Sequence, residues 1–299
     1  MDEAAFHLYM LDKNIDEKQA RAFIGRLHEL QDFLKADKID LDSIPVGKIL
    51  EYTEALVSNN GDAVLEFLRA LIHYGNFAQK YDYIAEILDI AEAFNAMDNL
   101  YDRVAEHHGE QVRDEIFTGI QLPPLGVDPE TKSSVTKVVM QRLEQHLGEE
   151  NTVALLAPCL HGRPIEPAQK DRKLLLQLGD IDEFLKVKHQ ELVERFRQHQ
   201  KDGTLEYAQY VDEDVITYAE NTPTISPGIR DGTRIINTKI PYQIKAMLTA
   251  DNEAMKRYYV CYCPWVRGAI KNGTEHEISA NFCHCSAGFT KKYWDVIFD

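Results

Sequence analysis

The apolar positions between residues 17 and 35 fall at steps of three and four: Ala20, Phe23, Ile24, Leu27, Leu30, Leu34. That spacing places one apolar stripe on an amphipathic helix. Asp42 and Ser43 offer caps for a next helix over about 46–58, with Ile49, Leu50, Ala55 and Leu56 on its inner face. Asn59-Asn60-Gly61 ends it, because these residues tolerate the left-handed cap. Asp62 starts a helix whose wide apolar arc (Val64, Leu65, Phe67, Leu68, Leu71, Ile72) predicts a central place in its bundle. Further helices are expected over 81–95 and 97–117.

Leu122-Pro123-Pro124-Leu125-Gly126 interrupts this pattern, since paired prolines cannot lie inside a helix and push the preceding residue out of helical geometry. Asp128-Pro129 then reads as a helix start for Val135, Val138, Val139, Leu143 and Leu147. A turn-rich stretch runs from Ala157 to Pro167, and Gly179 closes the helix after it. Asp180 with Glu183 forms a capping-box-like start for a long helix over about 181–200. Beyond Gly203, Thr233–Ile240 and Arg257–Tyr262 are β-branched or aromatic runs, expected as strands. The fold class expected is a mostly α N-terminal domain, residues 1–121, followed by an α+β C-terminal domain, residues 122–299, with a small antiparallel sheet.

Charge narrows the function classes. Residues 1–110 carry 10 Lys+Arg against 22 Asp+Glu, and the rest 23 against 27. Nucleic-acid affinity rests on cations meeting phosphates, so the first third is a poor binder of DNA or RNA. Its acidic surface serves solubility or a basic protein partner. No run approaches the roughly 18 apolar residues of a membrane span. The N-terminal MDEAAFHLYMLDKN has acids where a secretory signal needs a basic region, which predicts a cytoplasmic protein without membrane association. P-loop, G-x-G-x-x-G, H-E-x-x-H and G-x-S-x-G motifs are absent from the sequence.

The chemistry concentrates at the C-terminus. Four of the five cysteines form two pairs, Cys261-Tyr262-Cys263 and Cys283-His284-Cys285, a C-x-C-x19-C-x-C pattern. In a reducing compartment such a pattern points to metal or thiol chemistry rather than structural disulfides. Cys261, Cys263, Cys283 and Cys285 supply the four thiolates of a structural zinc site, with His276 and His284 as replacement ligands. An iron–sulfur cluster uses the same donor set. Against a shared ion, a C-x-C pair on a strand sets its Cα atoms roughly 6.5–7 Å apart. Two other readings stay open: a thiol-reactive or redox site, and quiet cysteines packed as small hydrophobes.

In the thiol-reactive reading Cys283 or Cys285 is the nucleophile. Ser286 is expected to cap a helix and place Cys285 at its positive end. Residues 258–299 hold nine of the 28 aromatics. Tyr262, Trp265 and Trp294 could line a small-molecule pocket or pack a core, and Arg267 could anchor a carboxylate or form a surface ion pair. Cys159-Leu160-His161-Gly162-Arg163-Pro164 gathers Cys, His and Arg in one irregular stretch, of interest only if the fold brings it to the quartet. His107-His108 reads as a helix-end surface.

At YYVCYCPW (258–265) and FCHCSAGF (282–289), with LPPLG, GDIDEFL (179–185) and TKIPY (238–242), the chain resembles a prokaryotic domain-of-unknown-function family with paired C-x-C boxes, over roughly residues 100–299. The resemblance implies a bacterial or archaeal cytoplasmic protein and supplies no activity. More remotely, SAGFTKKYWDVIF (286–298) resembles the helix of 4-vinyl-reductase-like sensor domains and of the aminothiazoline-carboxylate hydrolase group, which would imply a small-molecule pocket and, for the second, hydrolysis of a C–N or C–S ring. Residues 48–77 are similar to the helical core-binding domain of tyrosine recombinases, without their downstream Arg-His-Arg-Tyr set. Taken together, the expectation is a sensor or binding protein with a four-cysteine, zinc-like site beside an aromatic pocket. The alternatives are a thiol-dependent hydrolase or redox enzyme acting on a small carboxylate, and a helical protein-interaction module.

Overall fold

A computed structural model describes residues 1–161 and 164–299; Gly162 and Arg163, part of the Cys159–Pro164 stretch singled out above, lie outside the described residues. The chain forms two compact units. The first comprises Met1–Phe94, Pro123–Thr131 and Tyr207–Gln209; the second comprises Asn95–Leu122, Lys132–Glu206 and Tyr210–Asp299.

The first unit is built on five helices: α1 (Glu3–Asp12), α2 (Glu17–Lys35), α3 (Lys48–Asn60), α4 (Val64–Ala78) and α5 (Tyr81–Ala91). The stripe on α2 is buried as its spacing requires, and α4 supplies Val64, Phe67, Leu68, Ala70, Leu71 and Tyr74 to the same core. Each fully buried side chain of this kind contributes roughly 1.5–3 kcal/mol. Asp42 does not cap α3. Gly47 occupies that position at φ +87°, and Asp42 instead accepts a hydrogen bond from the Tyr74 hydroxyl at 2.8 Å.

The second unit contains α6 (Ala96–His108), α7 (Glu110–Phe117), α8 (Ser133–Leu156), α9 (Glu166–Leu178), α10 (Ile181–Asp202), α11 (Glu213–Asn221), α12 (Ile244–Leu248), α13 (Glu253–Val260), α14 (Pro264–Asn272) and α15 (His284–Phe298). The stretch expected as one helix over 97–117 is broken at Gly109, and α8 bends at Gly148, φ +77°. The Asp180 cap forms as expected, its carboxylate accepting the Glu183 N–H at 2.8 Å.

Strand content is small: β1 (Leu205–Glu206) with β2 (Gln209–Tyr210), and β3 (Ile229–Asp231) with β4 (Arg234–Ile236). β3 and β4 pair antiparallel, Ile229 opposite Ile236. The chain is therefore mostly helical at its N-terminal end and α+β, with small two-stranded sheets, towards its C-terminus.

A further sequence expectation changes. The Arg257–Tyr262 run is not a strand. Asn252 caps α13, its side chain accepting the Met255 N–H at 2.9 Å, and the tyrosines at the helix end pack on neighbouring side chains. Tertiary packing overrides β propensity here. The compact units also divide the chain elsewhere than between residues 121 and 122. Leu100, Val104, Ile116 and Phe117 of α6 and α7 are buried in the second unit, where both helices pack on α8. The Pro123–Thr131 segment, irregular at Pro123 and Pro124, belongs to the first unit, where the Gly126 carbonyl accepts the Thr53 hydroxyl at 2.9 Å.

Candidate thiol site

The first half of α8 is the platform for both C-x-C boxes. Its Thr136 hydroxyl donates to the Trp265 carbonyl at 2.7 Å, fixing the first turn of α14. Its Glu144 carboxylate accepts Asn281 Nδ2 at 2.9 Å and also the Ser279 hydroxyl, holding the turn that leads into α15. Cys263 is the N-cap of α14 and Cys283 the N-cap of α15. Ser286 is not the cap expected from the sequence, because α15 begins two residues earlier; Cys285 lies in its first turn.

The C-terminal end of α8 delivers the fifth cysteine. Cys159 follows α8 in the left-handed region, φ +63°, a conformation costly for a residue with a Cβ. Two side chains of α6 hold this turn. Arg103 donates to the Leu155 and Cys159 carbonyls, the latter at 2.9 Å, and Asn99 donates to the Leu160 carbonyl at 2.6 Å. Cys159 Sγ then lies 3.9 Å from Cys285 Sγ, and the Leu160 N–H points at Cys285 Sγ at 3.1 Å. Both cysteines are buried, at 3% and 7% exposure.

Gly288, one turn after Cys285 on α15, makes this approach possible. A Cβ at this position would stand 1.8 Å from the Ala157 carbonyl oxygen and 2.8 Å from the Cys159 nitrogen. Only glycine lets the helix lie this close to the backbone of the Cys159 turn.

The electrostatics give the two thiols opposite characters. Cys159 is held at about 7, below the usual thiol range. The largest cause is its hydrogen bond with Cys285, joined by the His161 N–H and the charges of Arg103 and Lys292, against the opposing effect of burial. Cys285 is pushed up, first by that same hydrogen bond and then by burial. The sequence argument from helix position favours Cys285 as the ionised thiol. Burial and the neighbouring thiolate outweigh the helix start.

The two boxes lie within electrostatic reach of each other. Burial raises Cys263, and charge on Cys261 and on Cys283 raises it further. Burial and Cys261 raise Cys283, and Cys263 acts on Cys285. All five cysteines are free thiols. Among the described residues, no group of three or more His, Cys, Asp or Glu side chains is arranged to hold a metal ion.

The aromatic residues split into separate groups. Arg267 is 4% exposed, its guanidinium 4.8 Å from the Tyr242 ring and 4.5 Å from the Tyr258 ring. It is a packed cation on α14 rather than a surface ion pair. Tyr262 donates to the Ile240 carbonyl at 2.8 Å and lies 4.9 Å from the Tyr242 ring. Trp265 is buried with the fully buried Lys132 amine 5.6 Å from its ring. Trp294 packs elsewhere, on Phe184, Tyr293 and Phe298. A cavity of about 390 Å³ is lined by Tyr101, Asp114, Phe117, Thr118, Ile120 and Leu122, none of them a residue the sequence nominated.

Cys159 and Arg103 are the site residues that sequence reasoning missed as partners. Cys159 stood out as a cysteine in an irregular stretch, but nothing in its spacing ties it to Cys285, 126 residues away. Comparison of the chain with family models, curated proteins and solved structures gives no match.

Proposed function

We propose that the Cys159–Cys285 pair is a reversible dithiol centre, which makes the protein a thiol-redox sensor or oxidoreductase. The observation that carries this reading is the 3.9 Å approach of two buried sulfurs from distant segments. Three further features support it: Cys159 as the ionised member, Cys285 as the protonated member, and a strained turn clamped by Arg103 and Asn99. Strained non-glycine backbone collects at functional sites. An oxidised pair would join the α8 turn to the start of α15, so its redox state would alter how tightly these elements are held. Such a couple works where thiols start reduced, which suits the cytoplasmic location expected from the sequence.

The test is to treat the purified protein with diamide, block free thiols with N-ethylmaleimide and map the peptides. A disulfide between Cys159 and Cys285, reversed by dithiothreitol, supports the reading. Oxidation that leaves both as free thiols defeats it.

A second reading is favoured by one observation. The 3.9 Å sulfur separation is close to the edge, about 3.8 Å, of a tetrahedron built on zinc–sulfur bonds of about 2.3 Å. With Cys261, Cys263 and Cys283 nearby, the donor chemistry suits zinc or an iron–sulfur cluster, and ligation would require the two boxes to close on Cys285. Elemental analysis of protein purified without oxygen tests this. Stoichiometric zinc or iron released by a chelator, with all thiols protected beforehand, would replace the dithiol reading.

A further inference from the structure

We infer that the outer face of α1 is a docking surface for a basic amphipathic helix of a partner protein. The inference concerns the first compact unit and is independent of the thiol pair. Its first ground is a helix with two apolar faces. Phe6 and Met10 are fully buried in the core that α1 shares with α2 and α4. Ala4, Leu8 and Leu11, at steps of four and three, form a second stripe. At about 100° per residue this stripe lies on nearly the opposite side of the helix from Phe6 and Met10. All three of its residues are exposed, Leu8 at 66% and Leu11 at 38%. A helix that is apolar all round is one enclosed on every side, and neighbouring apolar side chains left in solvent mark a surface that another molecule covers.

The second ground is the charge that borders the stripe. Residues 1–17 carry five acids and one lysine. That lysine, Lys13, falls on the far side of the helix, where its Nζ lies 5.7 Å from the centre of the Tyr9 ring. Asp12 follows Leu11 on one border. On the other stands His7, its Nε2 3.1 Å from the Glu17 carboxylate. Glu3 and Glu17 have cationic partners in His28, at 3.2 Å, and Arg21, at 2.7 Å. Asp2, Asp12 and Asp16 are exposed, and among the described residues no ion pair engages any of them.

Charge complementarity selects the occupant. A second copy of this chain would bring the same carboxylates against one another, and an anionic bilayer would meet them with its own negative charge. A partner helix with leucines at the spacing of Leu8 and Leu11, bordered by Lys or Arg, satisfies both features of the face. Its apolar seam covers the two leucines, as one amphipathic helix packs on another. Its cations meet Asp2, Asp12 and Asp16, which steers the encounter and fixes which partner fits, while the apolar seam supplies most of the affinity.

The experiment uses the full chain and a fluorescent peptide of about 18 residues, with leucines at i, i+4, i+7 and i+11 and lysines on both borders of that stripe. Anisotropy should show saturable binding. The same peptide with glutamates for its lysines should bind at least tenfold more weakly. Leu8→Ser and Leu11→Ser should each weaken the lysine peptide about tenfold, the loss expected when a leucine no longer buries its exposed surface. Asp12→Lys should weaken it as well. All three substitutions lie at exposed positions, so melting should stay at the wild-type value. Equal binding of the two peptides, equal binding to Leu8→Ser and Leu11→Ser, or no saturation up to about 1 mM would overturn the inference. So would a dimer in sedimentation that Leu8→Ser dissolves, which would give the face to a second copy, or Leu8-dependent binding to phosphatidylglycerol vesicles, which would give it to a membrane.

Discussion

Gly288→Ala is the sharpest perturbation the thiol site offers, because it adds one methyl group and no charge. The new Cβ would stand 1.8 Å from the Ala157 carbonyl oxygen, against the 3.0 Å that real Cβ contacts respect. The opposing atoms are backbone, so no side chain can swing aside. Helix α15 must therefore retreat from the Cys159 turn by about 1.2 Å. Cys285 lies one turn away on the same helix, so a rigid retreat takes the sulfur separation from 3.9 Å towards about 5 Å and the Leu160 N–H···Sγ distance from 3.1 Å to beyond 4 Å. Overpacking of this kind costs about 1–3 kcal/mol. At roughly 2–4 °C per kcal/mol for a unit of this size, melting should fall by several degrees. The hydrogen bond from Cys285 is the main cause holding Cys159 near 7, so its midpoint should rise towards the ordinary thiol range. Following iodoacetamide labelling of Cys159 by mass spectrometry from pH 5.5 to 9.5, beside calorimetric melting, reads both effects. A variant with wild-type melting and a wild-type labelling midpoint would refute the argument, since the helix could not then lie as close as described.

Arg103→Gln should lower stability by about 2 kcal/mol, the cost of losing charge-assisted hydrogen bonds to two carbonyls, and raise the Cys159 labelling midpoint; chemical denaturation and the same labelling series check it. In the wild type, Cys159 is the thiol held low by its surroundings, and thiolate content grows with pH. Its labelling should therefore climb through a midpoint near 7 and level off above it, while Cys285 stays unreactive there; equal profiles for the two would contradict the assignment. His161 is lowered by burial, so the unfolded chain takes up its proton at a higher pH than the folded chain. Stability from this group is present above about pH 6.5 and is lost as the pH falls below it, and melting in His161→Asn should fall less between pH 7.5 and 5.5. Gly25, inside α2 with open space around a new Cβ, gives a change of opposite sign to Gly288: Gly25→Ala should stabilise by about 0.5–1 kcal/mol in denaturant titration.

The periodicity of residues 17–35 and the Asp180 cap were enough to place α2 and the start of α10, because a helix is closed by bonds between near neighbours and its buried face repeats every three to four residues. Cysteine spacing likewise drew attention to the two C-terminal pairs, Cys261/Cys263 and Cys283/Cys285. The sequence by itself determined the helical class, the acidic first third and the C-x-C spacing of four of the five cysteines. It did not determine that Arg257–Val260 is helical, since β-branched and aromatic residues suit either state until their packing partners are known. Nor could it join Pro123–Thr131 to the first unit, because that depends on where a distant helix offers a partner for the Gly126 carbonyl. Tertiary structure alone decided the site. Cys159 meets Cys285 only because α6 pins one turn and Gly288 admits the other helix. The opposite shifts of the two thiols follow from their mutual hydrogen bond and from burial, and neither is a property of residues adjacent in the chain.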